Sequence, residues 1–166
     1  MRTLKPEELQ KNPFSLIGQD WMLVTAKKGD KVNTMTAAWG GLGVMWGKNV
    51  AFVVIRPGRY TKEFVDDADT FSLTFFNGGY KNELGYLGKV SGRDEDKIAK
   101  SGLTVAYEQD TPYFKEGKLV LVCRKLYNQP MTPDCLIDKA SDEKWYPNKD
   151  YHILYIAEIE QVLTED

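Results

Sequence analysis

Seven stretches of the chain carry the alternating or unbroken apolar pattern of β-strands, separated by short polar and turn-forming segments. Asp20–Lys27 (DWMLVTAK) and Val32–Trp39 (VNTMTAAW) flank Lys28-Gly29-Asp30-Lys31, a tight-turn sequence, and so predict a hairpin. Val50–Ile55 is apolar at every position, as a strand buried on both faces would be. Phe71–Phe76 alternates, and Leu103–Glu108, Lys118–Tyr127 and Tyr151–Val162 complete the set.

The helical signals are short. Pro6–Lys11 predicts a polar helix stopped by Asn12-Pro13, and Lys62–Asp67 one or two turns with Thr61 as the N-cap. Asn77-Gly78-Gly79 leads into a helix over Tyr80–Leu87. A further helix opens at Ser91-Gly92-Arg93-Asp94 and runs through Lys100 to a stop at Gly102. Gln129–Asp150, with Pro130, Pro133 and Pro147, reads as irregular. Strands that are not interleaved regularly with helices, and no internal repeat, predict a mainly β chain: a closed antiparallel barrel or barrel-like sheet, with short helices inserted mid-chain.

Composition narrows the classes. At 166 residues, with 42% hydrophobic and 28% charged, the chain fits one globular domain over residues 1–166. A net charge of −2 offers no basic surface for nucleic acid or an acidic membrane. No apolar run approaches a membrane span, and the first residues, MRTLKPEELQK, do not read as a signal peptide. Cys123 and Cys135 have neither zinc spacing nor a disulfide framework, so a cytoplasmic protein is expected.

The chemistry concentrates between Asn33 and Thr61. Small and hydroxylated residues (Asn33, Thr34, Met35, Thr36, Ala37, Ala38) end on Trp39. Glycines 40, 41, 43 and 47 follow, interrupted by Trp46, and Val50–Ile55 then stops at Arg56-Pro57-Gly58-Arg59-Tyr60-Thr61. Glycines and small side chains let a flat ligand lie against main-chain N–H groups. Asn and Thr can meet ring heteroatoms. Two arginines and a threonine where a strand hands over to a helix suit a dianionic phosphate. Flavin mononucleotide (FMN) combines a planar polar ring with a phosphate.

Each feature also has a plainer use. The arginine cluster reads equally as a helix N-terminus with exposed arginines beside a turn proline. Trp39 and Trp46 taken singly are more often packing residues than ring stackers. Asn33–Thr36 could be no more than a polar strand end. His152, the only histidine, has no partner in the sequence that would make it a base, so a hydrogen-bonded structural role is the expectation. One histidine and two distant cysteines make no metal site, and neither a dinucleotide fingerprint nor a P-loop is present. No catalytic side chain is assigned.

At these residues the sequence resembles the flavin reductase-like family of FMN-binding split barrels, its flavoredoxin-type members in particular. The likeness lies in Asn33–Trp39, Trp46, Arg56-Pro57-Gly58-Arg59-Tyr60-Thr61, Phe71-Ser72-Leu73, Val90-Ser91-Gly92-Arg93-Asp94 with Asp96-Lys97, and Tyr151–Ile159. Ala157 stands where family members show glycine. The resemblance implies a split β-barrel of Greek-key-like antiparallel strands, paired as a homodimer with FMN near the subunit interface. It implies that Asn33–Ala38 line the isoalloxazine, that Arg56 and Thr61 hold the phosphate, helped by Arg59, Tyr60 and Ser91, and that His152 sits at the pocket edge without acting as a base. The expected function is NAD(P)H-dependent flavin reduction through bound FMN, with NAD(P)H a transient donor. The alternative is an FMN electron carrier reduced by a redox protein partner.

Overall fold

The computed structural model describes residues 1–165. Its ten strands are β1 (Arg2–Leu4), β2 (Met22–Lys28), β3 (Lys31–Ala37), β4 (Gly40–Met45), β5 (Lys48–Ile55), β6 (Thr70–Phe75), β7 (Val105–Glu108), β8 (Thr111–Phe114), β9 (Leu119–Pro130) and β10 (Ile153–Thr164). Five α-helices lie among them: α1 (Pro13–Ser15), α2 (Tyr60–Asp67), α3 (Lys81–Lys89), α4 (Lys97–Ser101) and α5 (Lys139–Trp145). The main sheet is antiparallel in the order β3-β2-β6-β9-β10-β5-β4, with β1 also on β10, and β7 and β8 form a separate ribbon.

That order forces the sheet to curl. Seven strands laid flat would place β3 and β4 about 29 Å apart at roughly 4.8 Å per step. Yet only Ala38 and Trp39 separate Ala37, the end of β3, from Gly40, the start of β4, a reach of at most about 11 Å. The outer strands therefore come together at this end, and the sheet closes into a split barrel. Register shifts along β9–β10, at Ile156/Ala157 and Ile159/Gln161, supply the bends that long strands need.

Alternation fills the interior. Met22, Val24 and Ala26 of β2, Ala51, Val53 and Ile55 of β5, Phe71, Leu73 and Phe75 of β6, Leu121 and Cys123 of β9, and Tyr155 and Ala157 of β10 form one buried cluster. α2 adds Phe64 and Val65 to it, and the Tyr155 hydroxyl donates to Asp66 Oδ1 at 2.5 Å. Leu23, on the other face of β2, packs in a second cluster with Leu84 and Leu87 of α3 and with Phe114.

The glycine-rich stretch is a strand rather than a connection. Gly41 and Gly43 sit where a Cβ would meet the Phe52 ring at 3.7 and 3.4 Å, so the ring lies against bare backbone. The connection shrinks to Trp46-Gly47, whose φ values of 54° and 69° are those of a type I′ hairpin turn. Thr61 is not the cap of α2. Arg59 occupies that position, because its carbonyl accepts the Lys62 N–H at 3.1 Å and the helix starts at Tyr60. The helix expected from Ser91 begins only at Lys97, capped by the Asp96 side chain and ended by Gly102 in the left-handed conformation. Pro6–Glu8 is a single 3-10 turn, Asn12 caps α1 instead of breaking the chain, and α5 lies inside the stretch expected to be irregular.

Gly40 tests the closure. Its φ is +138° and a Cβ there would lie 2.2 Å from the Phe52 carbonyl oxygen, whereas Gly47, with φ +69°, has open space around it. Gly40→Ala should lose about 3 kcal/mol in urea unfolding, and Gly47→Ala about 1 kcal/mol.

Candidate functional site

At the closure the end of β3, its link to β4, Val54 on the outer face of β5 and the β5–α2 turn surround a cleft of about 190 Å3. Met35, Thr36, Ala37, Ala38, Trp39, Val54, Arg56, Arg59, Trp145 and His152 line it. A second, mostly apolar hollow of about 440 Å3 shares Ala38 and Trp39 and runs along Gly40–Leu42 to Phe14 and Ile17.

The turn Arg56–Arg59 carries both arginines. Arg59 Nη1 donates to the Gly88 carbonyl at 2.6 Å. Gly88 itself comes so close to β3 that a Cβ would lie 2.9 Å from Thr36 Cβ, and the Thr36 hydroxyl donates to the Leu84 carbonyl at 2.5 Å. So the end of α3 is clamped to β3 and orients Arg59. Arg56 Nη1 lies 2.9 Å from Asp150 Oδ1, and its Nη2 donates to the Trp145 carbonyl at 2.9 Å.

Positive charge dominates here. Burial, and then the Arg56 charge, lower the Arg59 pKa. Lys97 is buried with its Nζ donating to the carbonyls of Leu87 and Val90; burial and Arg59 bring it down to about 8. Burial and then the Arg56 charge hold His152 down at about 4, with an opposing upward pull from Asp150 and a lesser downward one from Arg59. Its imidazole is therefore neutral at pH 7. Tyr146 Oη lies 2.7 Å from its Nδ1, and the Trp39 ring centre is 5.1 Å away. Burial, the largest cause of all three shifts, disfavours charge of either sign; the part that comes from Arg56 and Arg59 favours an anion.

Of the residues singled out in the sequence, Met35, Thr36, Ala37, Ala38, Trp39, Arg56 and Arg59 meet in the cleft. The others lie elsewhere. Asn33 is buried and its Nδ2 donates to Thr61 Oγ1 at 2.9 Å, which occupies both groups away from the cleft. Thr34 is buried against Thr25 and the Val24 carbonyl. Tyr60 stands under the Arg93 guanidinium, 4.7 Å from it, beside a separate hollow that also contains Asn33 and Lys97. Trp46 is in the β4–β5 turn near Tyr127, and Ser91 Oγ accepts from the Arg93 N–H. Val54 and Trp145 carry no signal in the sequence that assigns them to the cleft. For His152 the signal is the family resemblance, which implies a residue at the pocket edge, and the structure has it in the cleft lining.

The flavin reductase-like domain model matches residues 14–166, and the chain belongs to that family. Solved structures agree in fold. A flavoredoxin from Methanosarcina acetivorans is 25% identical, with 89% of this chain matching 69% of that one at a TM-score of 0.69. An FMN-binding domain of a flavin reductase-like enzyme from Shewanella baltica is 18% identical over 97% of this chain and 75% of that chain, with a TM-score of 0.71. The styrene monooxygenase flavin reductase from Pseudomonas putida is 14% identical over 89% and 80%, at 0.65. No curated protein matches the chain in sequence.

His152 gives a pH signature. Its folded pKa of about 4 lies below the ordinary 6.5, so between these values the unfolded chain binds the proton more readily. Its contribution to stability is complete above pH 6.5 and is lost as pH falls toward 4. Unfolding free energy should drop by about 2 kcal/mol more between pH 7.5 and pH 5 in the native chain than in His152→Asn, measured by urea titration.

Proposed function

We propose that the cleft holds FMN and that the protein is an NAD(P)H-dependent flavin reductase that passes electrons through the bound cofactor. The observation that carries this is that Arg56 and Arg59 line one cleft together with the small-residue edge Thr36–Trp39. This donor set fits a group with an anionic end and a planar polar ring. Arg56 and Arg59 would hold the anionic end, and the main chain of Thr36–Ala38 the ring edge, with Trp39 as a wall. Bound FMN supplies hydride acceptance and electron release in one- or two-electron steps. The neutral His152 keeps a nitrogen at the cleft without adding charge, and Trp145 covers the opening against water.

The cleft of about 190 Å3 falls short of the roughly 300 Å3 at which pockets enclose a sizeable ligand. We therefore propose a homodimer in which a second copy completes the site. Exposed Trp39, Phe14, Val44 and Trp46 around β4 support this. A cytoplasmic setting belongs to the same proposal, supported by the two unpaired cysteines. A second reading, an electron carrier reduced by a protein partner, is favoured by the likeness to the archaeal flavoredoxin.

Purified protein mixed with FMN and desalted should keep flavin absorption at about one per chain. Arg59→Ala and Arg56→Ala should each raise the FMN Kd by about 10- to 100-fold, the loss of charge-assisted hydrogen bonds. Unchanged affinity in both would remove the anion assignment. Steady-state oxidation of NADH and NADPH by the FMN-loaded protein separates the two functions: turnover supports the reductase, and its absence the carrier.

A further inference from the structure

The side-chain contacts of Arg56 go to a single segment, Trp145–Asp150, through its Nη1, Nη2 and guanidinium face. Beyond the contacts to Trp145 and Asp150 Oδ1, its Nη1 donates to the Asp150 carbonyl at 3.4 Å, and its guanidinium carbon lies 5.1 Å from the centre of the Tyr146 ring. The segment so held has little else at its other end. α5 buries no residue, and Ile137 just before it is 96% exposed. Attachment is C-terminal, through Arg56, the buried Tyr146, and the Tyr151 hydroxyl donating to Asp142 Oδ1 at 2.7 Å. An element with few buried apolar contacts, tied at one end, opens at low cost.

Trp145 ends α5. It lines the cleft edge-on to Trp39, with ring centres 4.9 Å apart, and is still 41% exposed. Its position comes from the bond to its backbone carbonyl, not from burial of its ring. A tryptophan fixed this way covers a cleft rather than anchoring a core.

We propose that α5 is a lid latched by Arg56, and that Trp145 is the specificity-determining residue that restricts access to the cleft to small planar electron acceptors. The inference rests on the flavin reading above. The same latch ties Arg56, a candidate anion ligand, to the lid, so the site's charge and its cover are one unit.

The first test needs no flavin. In hydrogen–deuterium exchange, the amides of Tyr146 and Lys149, bonded to the Asp142 and Tyr146 carbonyls, should exchange at least about tenfold faster in Asp150→Asn, the loss of the ion pair between Asp150 and Arg56. Amides of β2 and β9 should be unchanged. Equal exchange at Tyr146 and Lys149 overturns the latch.

The second test uses FMN-loaded protein, photoreduced without oxygen by a sacrificial tertiary-amine donor that supplies the two electrons, and reoxidised in stopped flow by 1,4-benzoquinone or the fused-ring 1,4-naphthoquinone. Each quinone gains two electrons and two protons from the reduced flavin and leaves as the hydroquinone. Trp145→Ala should raise the naphthoquinone-to-benzoquinone rate ratio about tenfold over the native chain, and Trp145→Phe should leave it near the native value. An unchanged ratio in Trp145→Ala overturns the selecting role. A protein that retains no FMN overturns the flavin reading and the acceptor role with it, while exchange still decides the latch.

Discussion

The structure depends on the two-residue link Ala38–Trp39. By joining the outermost strands of a seven-strand path, it turns an open sheet into a barrel and places the cleft on the seam. The seam is where backbone remains available, since β3 and β4 are each hydrogen-bonded to one neighbour only on this path. A closed barrel has no such edge, and a flat sheet would leave its two edges far apart. The cleft follows from a barrel that nearly closes.

Around the seam the charges form one system. Arg59 lies between Arg56 and Lys97 and each cation feels its neighbour, Asp150 pairs with Arg56, and His152 is kept neutral beside the two arginines. Lys97 is buried yet satisfied, its ammonium closing the carbonyls at the end of α3 and just beyond. Arg59 closes another of those carbonyls. The helix end thus absorbs part of the positive charge and fixes its direction.

Much of this was legible in the sequence, for physical reasons that also mark where legibility stops. Period-two alternation identifies β2, β6, β9 and β10 because one face of each meets the core. β4 defeats the same logic: its glycines read as a turn, and only the Phe52 ring across the pair makes them a strand. β8 contains Pro112 and α5 has no apolar stripe, so neither carries a local signal. In the site, Thr36–Trp39, Arg56 and Arg59 were readable from residue type. Asn33 and Thr61 looked equally suitable but face each other inside the fold, a pairing that depends on how α2 packs on β3. His152 reaches the cleft through the long-range register Ile153↔Ile55, which sets it beside Arg56 from nearly a hundred residues away.

That register also explains why the lid belongs to this site. Once β10 pairs with β5, the residues entering β10 lie beside the arginine turn, where Arg56 bonds the Asp150 carbonyl, and α5 just before them ends with Trp145 in the cleft lining. The core strands hold the seam through buried side chains; α5 lies over it through one guanidinium, one tyrosine and a tryptophan that is still half in solvent. Rigidity and access are therefore assigned to different parts of the chain. The barrel fixes where a planar ligand can sit, and the latch at Arg56 decides what can reach it.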